Sequence, residues 1–216
     1  EAGITNFRIF EKGADVGGTW RDNTYPGCGC DVKSQLYSYS FEPYADWSNV
    51  YAKQGEILSY IRHCATKYGM YPFMQFNTAV TGARFDADSG LWQVTLSSGE
   101  SVQARNVVAA PGPFADPAEV SFKGRDSFLG EQVHTARWNH ALDLKGKRVA
   151  VLGAGASAFD NAATALEHGA ASVDRFARRR ALPRARFWPR AVRRHLAVGP
   201  QRPLPARHVE RRPALS

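Results

Sequence analysis

The sequence predicts an α/β chain: two halves in which a strand meets glycines, an antiparallel meander between them and an irregular C-terminal tail. Three observations carry this. The stretch KRVAVLGAGASAFDNAATALEHGA, residues 147–170, runs from an apolar strand through a glycine turn into a helix. Three strand-like runs at 76–86, 91–96 and 101–109 are separated by DSG and SSGE, the punctuation of hairpins. Residues 183–216 hold six of the twelve prolines and no sustained period, so they offer too little apolar surface to offset the cost of ordering them.

In chain order, EAGITNFRIFEKG reads as the end of a helix capped at Gly3, then a short strand over Phe7–Phe10 that ends in the acid Glu11. Residues 13–31 are loop-like, dense in Gly and Asp. Residues 54–69 place Ile57, Leu58, Ile61, Cys64 and Ala65 at helical spacing, with Gly69 as the stop. After the meander, APGPFADP at 110–117 is a Pro/Gly-rich break and the candidate domain boundary. A linker holding FLGEQVHTARWN (128–139) leads to the strand Arg148–Leu152, the glycine turn, a helix ending at Gly169 and a second strand, SVDRFARR, which begins a βαβ unit. The expected organisation is 1–112, 113–145 as linker, 146–182, and 183–216 as a disordered or aberrant tail.

With 44% hydrophobic residues, a chain of 216 can bury one good core or two small ones. No run approaches the ~18 apolar residues of a membrane span, and no signal pattern opens the chain, so the expectation is a soluble cytoplasmic protein. Cys28, Cys30 and Cys64 are odd in number and lack the spacing of a redox pair or zinc site, which leaves small buried or incidental thiols and no metal. The net charge of +8 comes from one end: Arg175 onward holds thirteen Arg, no Lys and one acid, while residues 1–174 carry 15 bases against 19 acids. With aromatics nearly absent from that tail, it reads as solvated charge or frame-shifted sequence rather than a nucleic-acid arm.

The strongest local signal is Gly153-Ala154-Gly155-Ala156-Ser157-Ala158, which follows an apolar strand and opens a helix. That is the context a dinucleotide fingerprint requires: Gly153 for the tight turn, Gly155 for backbone approach to a pyrophosphate, Ala158 for helix–strand packing. The fold expected is therefore Rossmann-like and three-layered. At the end of the next strand, Arg178 and Arg179 stand where an acid would select NAD, which favours NADP, although both also begin the arginine-rich tail. In the first half Glu11 ends a strand as a ribose-binding acid should, with no glycine turn ahead of it. Gly17-Gly18-Thr19-Trp20 follows; Trp20 either covers a flat ring or packs in a core.

At this point the residues resemble a family. GADVGGTWRDNTYPGCGCDVKSQLYSYSF (13–41) is similar to the FAD-domain segment of the class B flavin monooxygenases, the group of Baeyer–Villiger and N-hydroxylating or flavin-containing monooxygenases. FLGEQVHTARWN resembles the Baeyer–Villiger fingerprint F-x-G-x-x-x-H-x-x-x-W through Phe128, Gly130, His134 and Trp138, with Asn139 in place of the following Pro or Asp. The family's alanine-threonine-glycine run stands here as Ala110-Pro111-Gly112. The resemblance implies that Glu11, Gly17, Gly18, Thr19 and Trp20 bind FAD, with Asp31 and Tyr37 near its ring. It implies that Gly153, Gly155, Ser157 and Ala158 hold the NADPH pyrophosphate, with Arg178, then Arg179, on the 2′-phosphate. His134 and Trp138 would couple the two halves as hinge residues.

The implied chemistry is hydride transfer from NADPH to FAD, then reaction with O2 to a flavin C4a-peroxide. That species oxygenates a ketone, amine or sulfur in a small organic substrate. The chain is expected to be a piece of such an enzyme, with the FAD domain incomplete and little activity of its own. Two other readings stand beside it. A thioredoxin-reductase-like flavoprotein would need a Cys-x-x-Cys, which is absent; a non-catalytic NADP module would use the basic tail on polyanions.

Overall fold

The computed structural model describes residues 3–177. They form an α/β structure in two compact units, one up to Asp143 and the other from Leu144. Residues 113–143 thus sort with the first unit.

In the first unit a two-residue strand, β1 (Ile9–Phe10), pairs in parallel with β2 (Met74–Gln75). The ladder continues past β1, since Glu11 N–H donates to Gln75 O (3.0 Å) and Thr78 N–H donates to Glu11 O (2.9 Å). Phe7 stacks on Phe73 at 4.5 Å, closing the same edge. β1 is shorter than Phe7–Phe10, and β2 escaped the sequence because two residues show no alternation. Within the loop-like region 13–31 the structure adds one helical turn, α1 (Thr19–Asp22).

The helix predicted over 54–69 is α2 (Gln54–Lys67). Glu56 in its first turn and Lys67 in its last complement the helix dipole. Its buried face is Ile57, Tyr60, Cys64 and Ala65; Tyr60 takes the place expected of Leu58. Ile57 is fully buried against Cys30 and Ala52, with Trp20, Tyr37, Trp47 and Ile61 packed around them. Burying one such side chain contributes about 2–3 kcal/mol.

The meander is β3 (Val80–Asp86), β4 (Leu91–Leu96) and β5 (Ser101–Ala104), in the order β3-β4-β5 with both pairings antiparallel. Both outer strands are shorter than the sequence runs for one reason. Val80 pairs with Leu96, the last residue of β4, and Ala104 pairs with Trp92, one residue from its start. Past Val80 the edge continues only as a single backbone contact, Ser97 N–H to Ala79 O at 2.8 Å, and past Ala104 only Leu91 of β4 remains.

The second unit is β6 (Arg148–Leu152), α3 (Ala156–Glu167) and β7 (Ser172–Phe176), with β6 and β7 parallel from Arg148↔Ser172 to Leu152↔Phe176. Ala158, Ala162 and Ala165 are buried along α3, and Val173 is buried on β7. Small side chains let the helix lie close on the strands, as a dinucleotide-type βαβ requires. β7 ends before Arg178 and Arg179, which lie outside the described residues.

Candidate functional site

The turn between β6 and α3 is held from both sides by the end of β7. Gly153 N–H donates to Phe176 O at 2.9 Å, and Arg175 Nη1 donates to Gly153 O at 3.1 Å. Gly153 has φ 152°, and a Cβ there would stand 3.2 Å from Ala158 Cβ. Glycine is therefore demanded at 153 by backbone and packing together. Ala158 is the residue it packs on, which is the role its place in the fingerprint predicts.

Gly155 differs. It is the N-cap of α3 with φ −79°, ψ 172°, and makes no side-chain cap hydrogen bond. A Cβ there would meet no atom of the described residues within 4 Å. Among the described residues, the N–H groups of Ala154, Gly155 and Ala156 find no acceptor. Three unpaired amides at the positive end of a twelve-residue helix make an anion cradle. Ser157 sits in the first turn, where its carbonyl accepts from Asn161 Nδ2 at 2.7 Å.

Arg175 was not singled out by the sequence. It is half-buried, with its guanidinium carbon 4.2 Å from the centroid of the Phe159 ring. Its Nε is buried and has no partner. It alternates with buried Val173, which is the signal that places it on the inward face of β7.

In the first unit Glu11 ends β1 as expected. Its Oε1 accepts from Gly13 N–H at 2.7 Å and from Arg21 Nη1 at 3.2 Å, and no described residue bonds its Oε2. Arg21, on α1, also donates to Asp15 O and pairs with Asp22 at 2.7 Å. The hydrogen bond to Asp22 and the charge of Glu11 push the Arg21 pKa up. The loop carbonyls are fixed further by Asp15, which accepts from Arg62 Nε (2.8 Å) and Tyr71 OH (3.2 Å). Burial works against the Asp15 charge, but those bonds and the Val16 N–H leave its carboxyl below the ordinary range.

Gly17 and Gly18 have φ 114° and 47°, and Thr19 starts α1 directly after them. A Cβ on Gly17 would overlap Leu58 Cδ1 of α2. Trp20 Nε1 donates to Tyr37 OH at 3.0 Å, and the rings meet edge-to-face at 5.5 Å. Both pack on the Cys30–Ala52–Ile57 core, and burial pushes the Tyr37 phenol up. Trp20 therefore packs on this core, and like Tyr37 it stays only half-buried. Asp31, one residue beyond the core, is exposed.

In the fingerprint stretch the Phe128 ring, itself exposed, folds back to 2.5 Å from where a Cβ on Gly130 would stand. His134 caps a short turn over 135–137, its Nδ1 accepting from Ala136 N–H at 3.1 Å. Asn139 Nδ2 donates to Glu131 Oε1 at 3.1 Å and its Oδ1 accepts from Ala141 N–H at 3.0 Å, so the stretch closes on itself. Trp138 is half-buried.

The profile of the pyridine nucleotide-disulphide oxidoreductase family matches residues 31–186. The chain belongs to that family. A Baeyer–Villiger monooxygenase of Streptomyces coelicolor is 44% identical over 156 residues, covering 72% of this chain and 30% of the relative. A steroid monooxygenase solved with NADP superposes with TM-score 0.70 at 41% identity, over 78% of this chain and 33% of that one. OTEMO, solved as a complex with FAD and NADP, gives TM-score 0.70 at 38% identity over 77% and 33%. The chain thus spans about 30% of the length of the curated relative it matches.

The resemblance to class B flavin monooxygenases read from the sequence is borne out, as is the α/β fold. The family's name includes disulphide chemistry, which these cysteines do not suit: all three are buried and in no disulfide, and burial pushes the Cys30 thiol up. No helix among the described residues is long and apolar enough to cross a membrane, and no group of His, Cys, Asp and Glu among them is placed to hold a metal. The structure brings Glu11 together with Arg21, Trp20 with Tyr37, and Gly153 with Ala158 and Arg175. Arg21 and Arg175 are the two residues the motifs passed over.

Proposed function

We propose that the chain forms part of an NADPH- and FAD-dependent monooxygenase that oxygenates a small organic substrate with O2, by Baeyer–Villiger insertion or by N- or S-oxygenation. The observation that carries the reading is Gly155. Its backbone angles suit any residue, and none of the described residues occupies the space of a side chain there. Helix N-caps favour Ser, Asn or Asp over Gly. The demand for glycine comes instead from a group outside the fold that approaches the open amides, and a dinucleotide diphosphate fits their charge and number. Relatives solved with NADP and with FAD support the same assignment.

NADPH and FAD, when bound, supply the reducing electrons and the activation of O2. This chain's own residues bind and orient. Ala154, Gly155 and Ala156 offer N–H groups to the diphosphate, Gly153 and Ala158 shape the turn, and Ser157 lies in the first helical turn. Arg178, with Arg179 second, is assigned to the 2′-phosphate on family grounds. In the first unit the second carboxylate oxygen of Glu11 is available to a ribose hydroxyl, while Gly17, Gly18, Thr19, Trp20, Tyr37 and Asp31 form the flavin side. Residues 1–112 then belong to FAD and 146–182 to NADPH, with His134 and Trp138 as coupling residues between them. Buried cysteines that form no disulfide suit a reducing, cytoplasmic setting.

Titration of the purified chain with NADPH and with NADH, followed by nucleotide fluorescence, tests the reading. Saturable binding that favours NADPH is expected. Absence of binding to both nucleotides overturns it.

A further inference from the structure

The inward-facing arginine of β7 has no part in the fingerprint, yet it touches the residue on which the fingerprint turns. We propose that Arg175 is a positioning residue for the dinucleotide site: it aims the Ala154 amide at the diphosphate and sets a fixed positive charge beneath the cradle. The proposal rests on the NADPH reading above and goes one residue beyond it.

The first part follows from peptide geometry. In a trans peptide unit the carbonyl and the next N–H point in opposite directions. Arg175 Nη1 binds Gly153 O at 3.1 Å, so that carbonyl is drawn toward β7. The Ala154 N–H of the same unit is thereby turned to the other face, where it has no acceptor among the described residues. At φ 152° the Gly153 backbone has freedom that few residues share, and a turn with that freedom needs an external hold. Phe176 O holds its N–H and Arg175 holds its C=O.

The second part follows from burial. An inward position beside Val173 ordinarily carries an apolar side chain. An arginine there loses hydration, and its buried Nε gains no hydrogen bond in return. No carboxylate among the described residues pairs with it; Phe159 covers the guanidinium face at 4.2 Å. Among the described residues the charge is therefore not spent on an ion pair. It adds to the partial positive charge at the start of α3, where an anionic ligand feels both.

The test is an NADPH fluorescence titration of the full chain at low and high ionic strength, with melting temperatures recorded in parallel, for wild type, Arg175→Met and Arg175→Lys. Arg175→Met is expected to weaken NADPH about tenfold at low ionic strength, with the gap to wild type narrowing as salt screens the missing charge. Arg175→Lys keeps the charge without the planar fork, so it should bind a few-fold more weakly while retaining the wild-type salt dependence. If Arg175→Met does not fold, the Arg175→Lys result alone decides. Wild-type affinity in a folded variant, or a loss that salt does not change, overturns the proposal and leaves the NADPH reading intact. Failure of the wild-type chain to bind NADPH overturns both.

Discussion

The two glycine turns of this protein look alike in sequence and are built for different reasons. Gly17-Gly18 leads into a helix of four residues, and Gly153-Ala154-Gly155 leads into one of twelve. At the first, glycine answers to the chain: Gly17 combines φ 114° with Leu58 in the space a side chain would take. At the second the reasons divide. Gly153 answers to the chain through φ 152° and Ala158, whereas Gly155 answers to nothing among the described residues. Gly55 and Gly82 are equally unobstructed, but Gly155 alone of the three stands among open amides at the start of a helix, and that combination is what the proposed diphosphate site rests on.

Stability measurements can break that comparison, and the largest change is expected at Gly17. Gly17→Ala combines strain at positive φ with overlap against Leu58, and should cost about 2–3 kcal/mol. Thermal or urea unfolding checks this; wild-type stability would mean the turn is not packed as described. Gly153→Ala should cost about 1–2 kcal/mol, because the backbone is strained while the Ala158 contact at 3.2 Å needs only a small shift. It should also weaken NADPH, so one substitution would lower both melting temperature and affinity.

The first turn leans on α2, and α2 is clamped at its far end by Glu42. That carboxylate accepts from Lys67 Nζ (2.6 Å), Tyr68 OH (2.9 Å) and His63 Nε2 (3.1 Å). Lys67 first, then Tyr68 and His63, hold the Glu42 pKa down to about 2 from an ordinary 4.5. A carboxylate depressed on folding contributes stability above its unfolded value and loses it as pH falls through its folded value. The clamp should therefore hold above about 4.5 and weaken progressively as the pH falls toward about 2. An acid titration followed by tryptophan fluorescence should show this loss in wild type and a flatter profile in Glu42→Gln. Identical profiles would contradict the clamp.

Much of this was legible in the sequence, and the parts that were not share physical causes. The Gly153 turn, α3 and the βαβ order were readable because an apolar strand, glycines and a helix follow one another locally. α2 was readable from its 3.6-residue period, although Tyr60 rather than Leu58 completes its buried face. The β1–β2 pair joins residues more than sixty apart through two residues each, which leaves no local pattern. The pairing of Arg21 with Glu11, ten residues apart, depends on how the intervening loop turns back, which no periodic pattern records. Arg175 carried a signal in its alternation with Val173, obscured because it opens the run of arginines that continues into the tail.

The smallest expected change in stability accompanies the largest in binding, at Gly155. Gly155→Ser places a side chain where none of the described residues obstructs it and where a hydroxyl can cap α3, a gain of a few tenths of a kcal/mol. The same hydroxyl would compete for the open amides and fill the approach to them. NADPH titration of folded Gly155→Ser, beside its melting curve, tests the central claim most directly. An unchanged or raised melting temperature with affinity lowered by about tenfold or more is the result predicted; NADPH binding equal to wild type would contradict it.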